Sequence, residues 1–227
     1  MSYYPIFLDL TDRTCVVVGA GDVGQRKIRT LLQCGVKKIF VYDPYSELPD
    51  DLASKAHSLE FKKRQVKPED LDGADLVFVC TNDKELNRFI ALQCKKKNIF
   101  CNVATSPLES DFILPSIFTR GDLCLAISTG GHSPALARKI RLELEKVFGP
   151  EYELLTRLLS KIRPLVLSLG RKQQENAEIF RSLVFSELLQ SLRLRDQRKT
   201  EEILKQLLPE DLHAWIGGLI DELFESI

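Results

Sequence analysis

Apolar positions along the first hundred residues switch repeatedly between two periods. Cys15-Val16-Val17-Val18 is a continuous, mostly β-branched run, and Val23, Ile28, Leu31 and Leu32 follow at helical spacing. Ile39-Phe40-Val41-Tyr42 predicts a second strand. A turn-rich stretch comes next (Pro44, Ser46, Pro49, Asp50), then a short helix near Leu52–His57, and Leu59–Val66 alternates loosely as an edge strand. Leu76–Cys80 is apolar throughout, as in a strand buried on both faces of a parallel sheet. Lys84–Lys97 spaces Leu86, Phe89, Ile90, Leu92 and Cys94 as a helix, and Ile99–Val103 supplies another strand. Strands alternating with helices predict an α/β protein built on a doubly wound parallel sheet.

Beyond Pro107 the pattern changes. Ile113-Leu114-Pro115 and Leu123–Ser128 predict extended segments around an Arg120-Gly121-Asp122 turn. Thr129–Pro134 is a glycine loop ending in a helix start, with Ser133 as cap and Pro134 at the first position. From Ala135 the chain reads as helical. Leu136, Ile140, Leu144 and Val147 form one stripe; Leu155, Leu158, Leu159, Ile162, Leu165, Val166 and Leu169 form a second, which Pro164 should bend. Phe180, Leu183, Val184, Leu188 and Leu189 form a third. Pro209-Glu210-Asp211 starts a last helix carrying Leu212, Trp215, Ile216, Leu219, Leu223 and Phe224.

The first strand runs directly into Gly19-Ala20-Gly21-Asp22-Val23-Gly24, a G-x-G-x-x-G between strand and helix. In that setting Gly19 permits the tight turn, Gly21 lets the backbone approach a pyrophosphate, and Gly24 lets the helix pack closely. The helix N-terminus then faces the anion. Asp43 ends the second strand 19 residues beyond Gly24, where a carboxylate accepts from a ribose 2′-OH and repels a 2′-phosphate. The expectation is a Rossmann-type domain that binds NAD in preference to NADP. Ligands of such sheets lie beyond the carboxyl ends of the strands, so Thr81, Asn82 and Asn102, Val103 to Thr105 share a rim with the glycine loop. Thr81, Asn82 and Asp83 are also good helix caps.

Composition narrows the partners. Lys+Arg and Asp+Glu each number 32, so no net field draws in nucleic acid or an anionic membrane. Met1–Leu10 has no basic start or long apolar run, and no signal peptide is expected. No stretch reaches the roughly 18 consecutive apolar residues of a simple spanning helix. The six cysteines (15, 34, 80, 94, 101, 124) include no C-x-x-C pair; Cys15, Cys80, Cys101 and Cys124 sit in or beside apolar runs and read as reduced, buried small hydrophobes, in keeping with a cytoplasmic location.

Several segments carry a family resemblance: Tyr4–Leu8, Gly24-Gln25-Arg26-Lys27, Cys80-Thr81-Asn82-Asp83 with Asn87, Phe100–Val103, Phe112–Ser116 and Ala126–Arg138 with Ile140-Arg141. In order and spacing they resemble the precorrin-2 dehydrogenase / sirohydrochlorin ferrochelatase family over about residues 3–148. The resemblance implies a homodimer of three parts: an NAD-binding domain (1–112), a small mixed dimerisation and substrate-cleft segment (113–148) and an α-helical C-terminal domain (149–227). It implies NAD-dependent oxidation of precorrin-2 to sirohydrochlorin, with ferrous iron insertion as a second activity. NAD contacts carry over to Asp22, Val23, Asp43 and Pro44. Precorrin-2 is a polycarboxylate, so Arg120, Arg138 and Arg141 are expected to bind it with Thr129, Gly130, Gly131 and Ser133 of the glycine loop; Arg138 and Arg141 could instead pair with Glu143 or Glu145 along an exposed helix.

One position departs from the family. Its N-V-x-D aspartate, the proposed general base, is replaced in Asn102-Val103-Ala104-Thr105 by Thr105, whose hydroxyl does not ionise near neutrality. Either Asp111 or His132 takes the proton, or water suffices and iron insertion is weak or lost. The alternative to an enzyme is a non-catalytic NAD-binding sensor or scaffold.

Overall fold

The computed structural model describes residues 3–55 and 57–225. The chain divides into two compact units, Met1–Leu114 with Gly130–His132, and Pro115–Thr129 with Ser133–Ile227.

In the first unit, five strands form a parallel sheet: β1 (Thr14–Val18), β2 (Lys38–Tyr42), β3 (Leu59–Lys62), β4 (Leu76–Val79) and β5 (Phe100–Val103), ordered β3-β2-β1-β4-β5. Strand residues alternate between two cores. Cys15, Val17, Ile39, Val41, Leu76 and Phe78 pack with Ile28 and Leu31 of α1 (Asp22–Gln33). Val16, Val18, Val77, Val79 and Val103 pack with Ile90 and Cys94 of α3 (Lys84–Lys97). This two-sided burial is why the central strands are apolar without interruption. Chain order reverses direction at β1 and β4, so their carboxyl ends form the switch point where such sheets take ligands.

The short helix α2 is Asp50–Ala53, a single turn that starts earlier than expected near Leu52–His57; Ala56 of that stretch lies outside the described residues. Pro49 sets its start and Leu52 is its buried anchor. The α3 helix has a complete set of end signals. Asp83 accepts from the Leu86 N–H at 3.0 Å, Lys95, Lys96 and Lys97 lie in the last turn, and Asn98 closes it in the left-handed region (φ 55°).

The second unit holds a hairpin and helices. β6 (Ser116–Arg120) pairs antiparallel with β7 (Leu123–Ile127). The expected extended segment at 113–115 is unpaired; pairing begins at Ser116, just past Pro115, which has no N–H to give a ladder. α4 (Pro134–Val147) follows Ser133, whose hydroxyl accepts from the Leu136 N–H at 3.2 Å. α5 (Glu151–Ser168) continues through Pro164. The predicted third stripe is two helices, α6 (Gln173–Phe185) and α7 (Leu188–Arg193), separated at Ser186, which is extended and whose hydroxyl accepts from the Leu188 N–H. α8 (Gln197–Leu207) and α9 (His213–Glu225) complete the chain. One core joins them: Leu158, Ile162, Leu183, Leu188, Leu204, Ile216 and Leu223 are fully buried in it. Among the described residues no helix is long and apolar enough to cross a membrane.

Candidate active site

The carboxyl ends of β1, β2 and β4 open onto a cleft of about 410 Å³ lined by Gly19, Gly21, Tyr42, Asp43, Pro44, Tyr45, Ser46, Gln65, Val66, Cys80, Thr81, Asn82 and Leu86, among others. Gly19 and Gly24 have the turn and packing geometry expected of them. Gly19 adopts φ +96°, and a methyl there would sit 2.9 Å from the Cys80 carbonyl. A methyl at Gly24 would stand 1.9 Å from the Gly19 oxygen, so the helix can start this close to the strand only without a side chain. At Gly21, by contrast, a methyl meets nothing within 4 Å, which leaves the backbone open to a ligand. No side chain caps α1, and its first intrahelical bond is Gln25 N–H to the Gly21 carbonyl at 2.9 Å. The first-turn N–H groups are therefore available to an anion.

Asp43 is buried at the end of β2. Its Oδ2 accepts from the Ala20 N–H at 2.7 Å, and its Oδ1 from the Tyr45 and Ser46 N–H groups at 2.8 Å each. Burial pushes its pKa up, but the backbone donors outweigh burial and hold it below the ordinary value. The carboxylate thus fastens the glycine loop to the β2 turn. Beside it, Arg64 grips Asp70 through two bonds of 2.6 and 2.7 Å and lies over the Tyr42 ring at 5.0 Å, which holds the Asp70 pKa at about 2. Burial pushes the Cys80 thiol to about 11, against the pull of Lys27, so it is a neutral wall of the cleft.

Six of the expected cofactor residues line this cleft: Gly19, Gly21, Asp43, Pro44, Thr81 and Asn82. Asp22, Val23 and Gly24 stand at the start of α1. Asn102 and Val103 are placed differently. The Asn102 amide donates to the Phe112 carbonyl at 2.9 Å, while Val103 is buried and its N–H bonds the Ser110 hydroxyl at 2.9 Å. Thr105 is exposed just beyond β5, and its oxygen accepts from Asn87 Nδ2 at 3.2 Å.

Asp111 seals the open edge of β5. Its Oδ2 accepts from the Cys101 N–H at 2.9 Å, and its own N–H donates to the Cys101 carbonyl at 2.8 Å. Such edge protection is a recurrent need of outer strands. His132 is exposed, following Gly130 and Gly131, which both have positive φ (64° and 86°). Thr129 and Ser133 close that loop on each other: the Thr129 hydroxyl donates to the Ser133 carbonyl and accepts from its N–H, both at 3.0 Å.

The arginines divide. Arg120 donates to the Phe148 and Glu145 carbonyls (3.1 and 3.3 Å) and to the Thr119 carbonyl at 3.0 Å, fastening the carboxyl end of α4. Arg141 pairs with Glu145 one turn along the same helix. Arg138 is exposed and has no bonded partner among the described residues. Sequence reasoning passed over Tyr45, Gln65, Val66 and Leu86 as cleft residues, and over Asn87 as the link to Thr105. The resemblance had already marked Asn87 with the Cys80–Asp83 run; its place on the apolar stripe of α3, with Ile90 and Cys94, was the signal that it is buried.

A parallel sheet with a glycine turn at its switch point, an uncapped helix start and a buried acid on the second strand defines a dinucleotide-binding domain. Comparison with known proteins agrees. A family model described as putative NAD(P)-binding matches residues 6–116, and one described as sirohaem biosynthesis protein central matches residues 120–146. The siroheme synthase of Enterobacter sp. (strain 638) is 33% identical over 220 residues, covering 94% of this chain and 47% of that protein. Siroheme synthase of Escherichia coli O1:K1 / APEC is 33% identical over 217 residues, covering 93% and 46%. The chain spans about half the length of these curated relatives. The solved structure of SirC, precorrin-2 dehydrogenase, matches with a TM-score of 0.76 at 30% identity, over 90% of this chain and 98% of that one. The chain belongs to the family of precorrin-2 dehydrogenases and siroheme synthases.

Proposed function

We propose that the protein catalyses the NAD-dependent oxidation of precorrin-2 to sirohydrochlorin. The observation that carries this reading is the likeness to SirC, precorrin-2 dehydrogenase, over 98% of that chain. The residues fit the cofactor: the open Gly21 backbone and uncapped α1 suit a pyrophosphate, and Asp43 favours a free ribose 2′-OH over a 2′-phosphate. NAD supplies the hydride acceptor when bound. The balanced reaction is precorrin-2 plus NAD⁺ giving sirohydrochlorin, NADH and H⁺.

Arg138, with its free guanidinium, is the first choice to bind a substrate carboxylate. Arg120 and Arg141 have partners in their own unit and serve to shape the segment that carries it. For the released proton, His132 is the better candidate: both side chains are exposed, but one Asp111 oxygen is committed to the Cys101 N–H. Ferrous iron would be a second substrate, and Thr105 makes its insertion the weaker activity. The three-part division at 112 and 148, a cytoplasmic location and a homodimer belong to the same reading. Ile117, Leu136, Leu142 and Val147 are between 42% and 59% exposed, apolar surface that a second copy would cover.

The test is anaerobic incubation with precorrin-2 and NAD, following NADH and the tetrapyrrole spectrum, and then addition of ferrous ion. NADH and sirohydrochlorin together support the dehydrogenase. A metal-dependent change above the enzyme-free control adds iron insertion. NAD binding without NADH formation would replace the enzyme by the sensor or scaffold.

A further inference from the structure

The amide of Asn87 joins the two loops that leave β4 and β5. Asn87 is 1% exposed on the sheet-facing side of α3, where an unpaired amide would be costly. Its Nδ2 donates to the Thr81 carbonyl at 3.0 Å and to the Thr105 hydroxyl oxygen at 3.2 Å, and its Oδ1 accepts the Thr81 hydroxyl proton at 2.5 Å. A carbonyl can only accept, so the NH₂ must face Thr81, and the orientation of the amide follows. Both Nδ2 protons are then used, and Thr105 is an acceptor toward Asn87. Its own proton is directed elsewhere. The Thr105 side chain is exposed, and no acceptor takes that proton among the described residues.

We infer that Asn87 is a positioning residue acting through Thr105, whose hydroxyl donates a hydrogen bond to an acceptor oxygen of a molecule bound at this rim. That oxygen belongs to the nicotinamide carboxamide or to a precorrin-2 carboxylate. The inference rests on the function proposed above. It gives Thr105 the chemistry of a fixed donor, in the place where the resemblance sets a base.

The test compares kcat and KM for Thr105→Ser, Thr105→Val, Asn87→Asp and the Asn87→Asp/Thr105→Val double variant, with a melting curve for each. Thr105→Ser keeps the donor and should retain more kcat/KM than Thr105→Val. Thr105→Val and Asn87→Asp should each lose about fivefold in kcat/KM, the worth of one neutral hydrogen bond. The double variant should lose little more than either single one, since both cut the same connection. A raised KM for NAD identifies the carboxamide; a raised KM for precorrin-2 identifies the carboxylate. Thr105→Val equal to wild type would overturn the inference, as would single losses that multiply. If Asn87→Asp only lowers the melting point, the Ser/Val pair at Thr105 still decides. If wild-type enzyme makes no NADH the proposed function fails separately, and Thr105→Ser and Thr105→Val binding both NAD and precorrin-2 with equal affinity would then overturn the inference as well.

Discussion

The two glycine loops of this protein hold their glycines for different reasons. In the loop at 19–24 packing leaves no choice: a methyl at Gly19 or Gly24 would overlap backbone at 2.9 and 1.9 Å. In the loop at 129–133 a methyl at Gly131 meets nothing within 4 Å, and one at Gly130 meets only the His132 ring, at 3.5 Å. Conformation alone, a φ of +64° and +86°, selects glycine there. The first loop is fixed by the sheet behind it and clamped by Asp43. The second is closed by the reciprocal Thr129–Ser133 bonds and carries exposed chemistry. Glycine in the first reports a binding surface already formed, and glycine in the second a turn that presents its neighbours.

Substitutions can break that contrast. Gly24→Ala should have the largest effect, weakening NAD binding at least about 100-fold, because the helix start must move away from the strand. Asp43→Asn should follow, at about 30-fold, since it removes charge from three backbone bonds. Folding holds the Asp43 pKa below its ordinary value, so its ionised form is the stabilised one. Its contribution is whole above about pH 4 and is lost as pH falls through the lower, folded-state value. Wild type should show this acid step in NAD titrations, and the Asp43→Asn variant should not. Arg138→Ala, just beyond the second loop, should raise KM for precorrin-2 about tenfold and leave NAD affinity unchanged. Gly131→Ala should be mildest, costing about 1 kcal/mol in thermal unfolding with no change in NAD affinity. A Gly131→Ala effect on NAD as large as that of Gly24→Ala would erase the distinction.

The same difference explains what was legible in the sequence. β1 and β4 are buried on both faces, so unbroken apolar runs announced them; β5 buries Cys101 and Val103 on one face and leaves Phe100 exposed, and Asn102 interrupts its apolar run. Asn87 and Asp111 were harder, because their meaning lies in partners 18 and 10 residues away, Thr105 and Cys101, rather than in local pattern. In the helical unit the stripes revealed the core, but the break at Ser186 depends on one hydroxyl bonding the Leu188 N–H, and no apolar period records it. The α8 helix was likewise marked by a single cap, the Asp196 carboxylate accepting from the Lys199 N–H at 2.9 Å.

The most direct test of the account measures NADH and sirohydrochlorin together, anaerobically, with NAD limiting, for wild type and Gly24→Ala. One NADH for each sirohydrochlorin from wild type, and neither product from Gly24→Ala, is the predicted result. Sirohydrochlorin formed by both proteins at the same rate, without matching NADH, would contradict it.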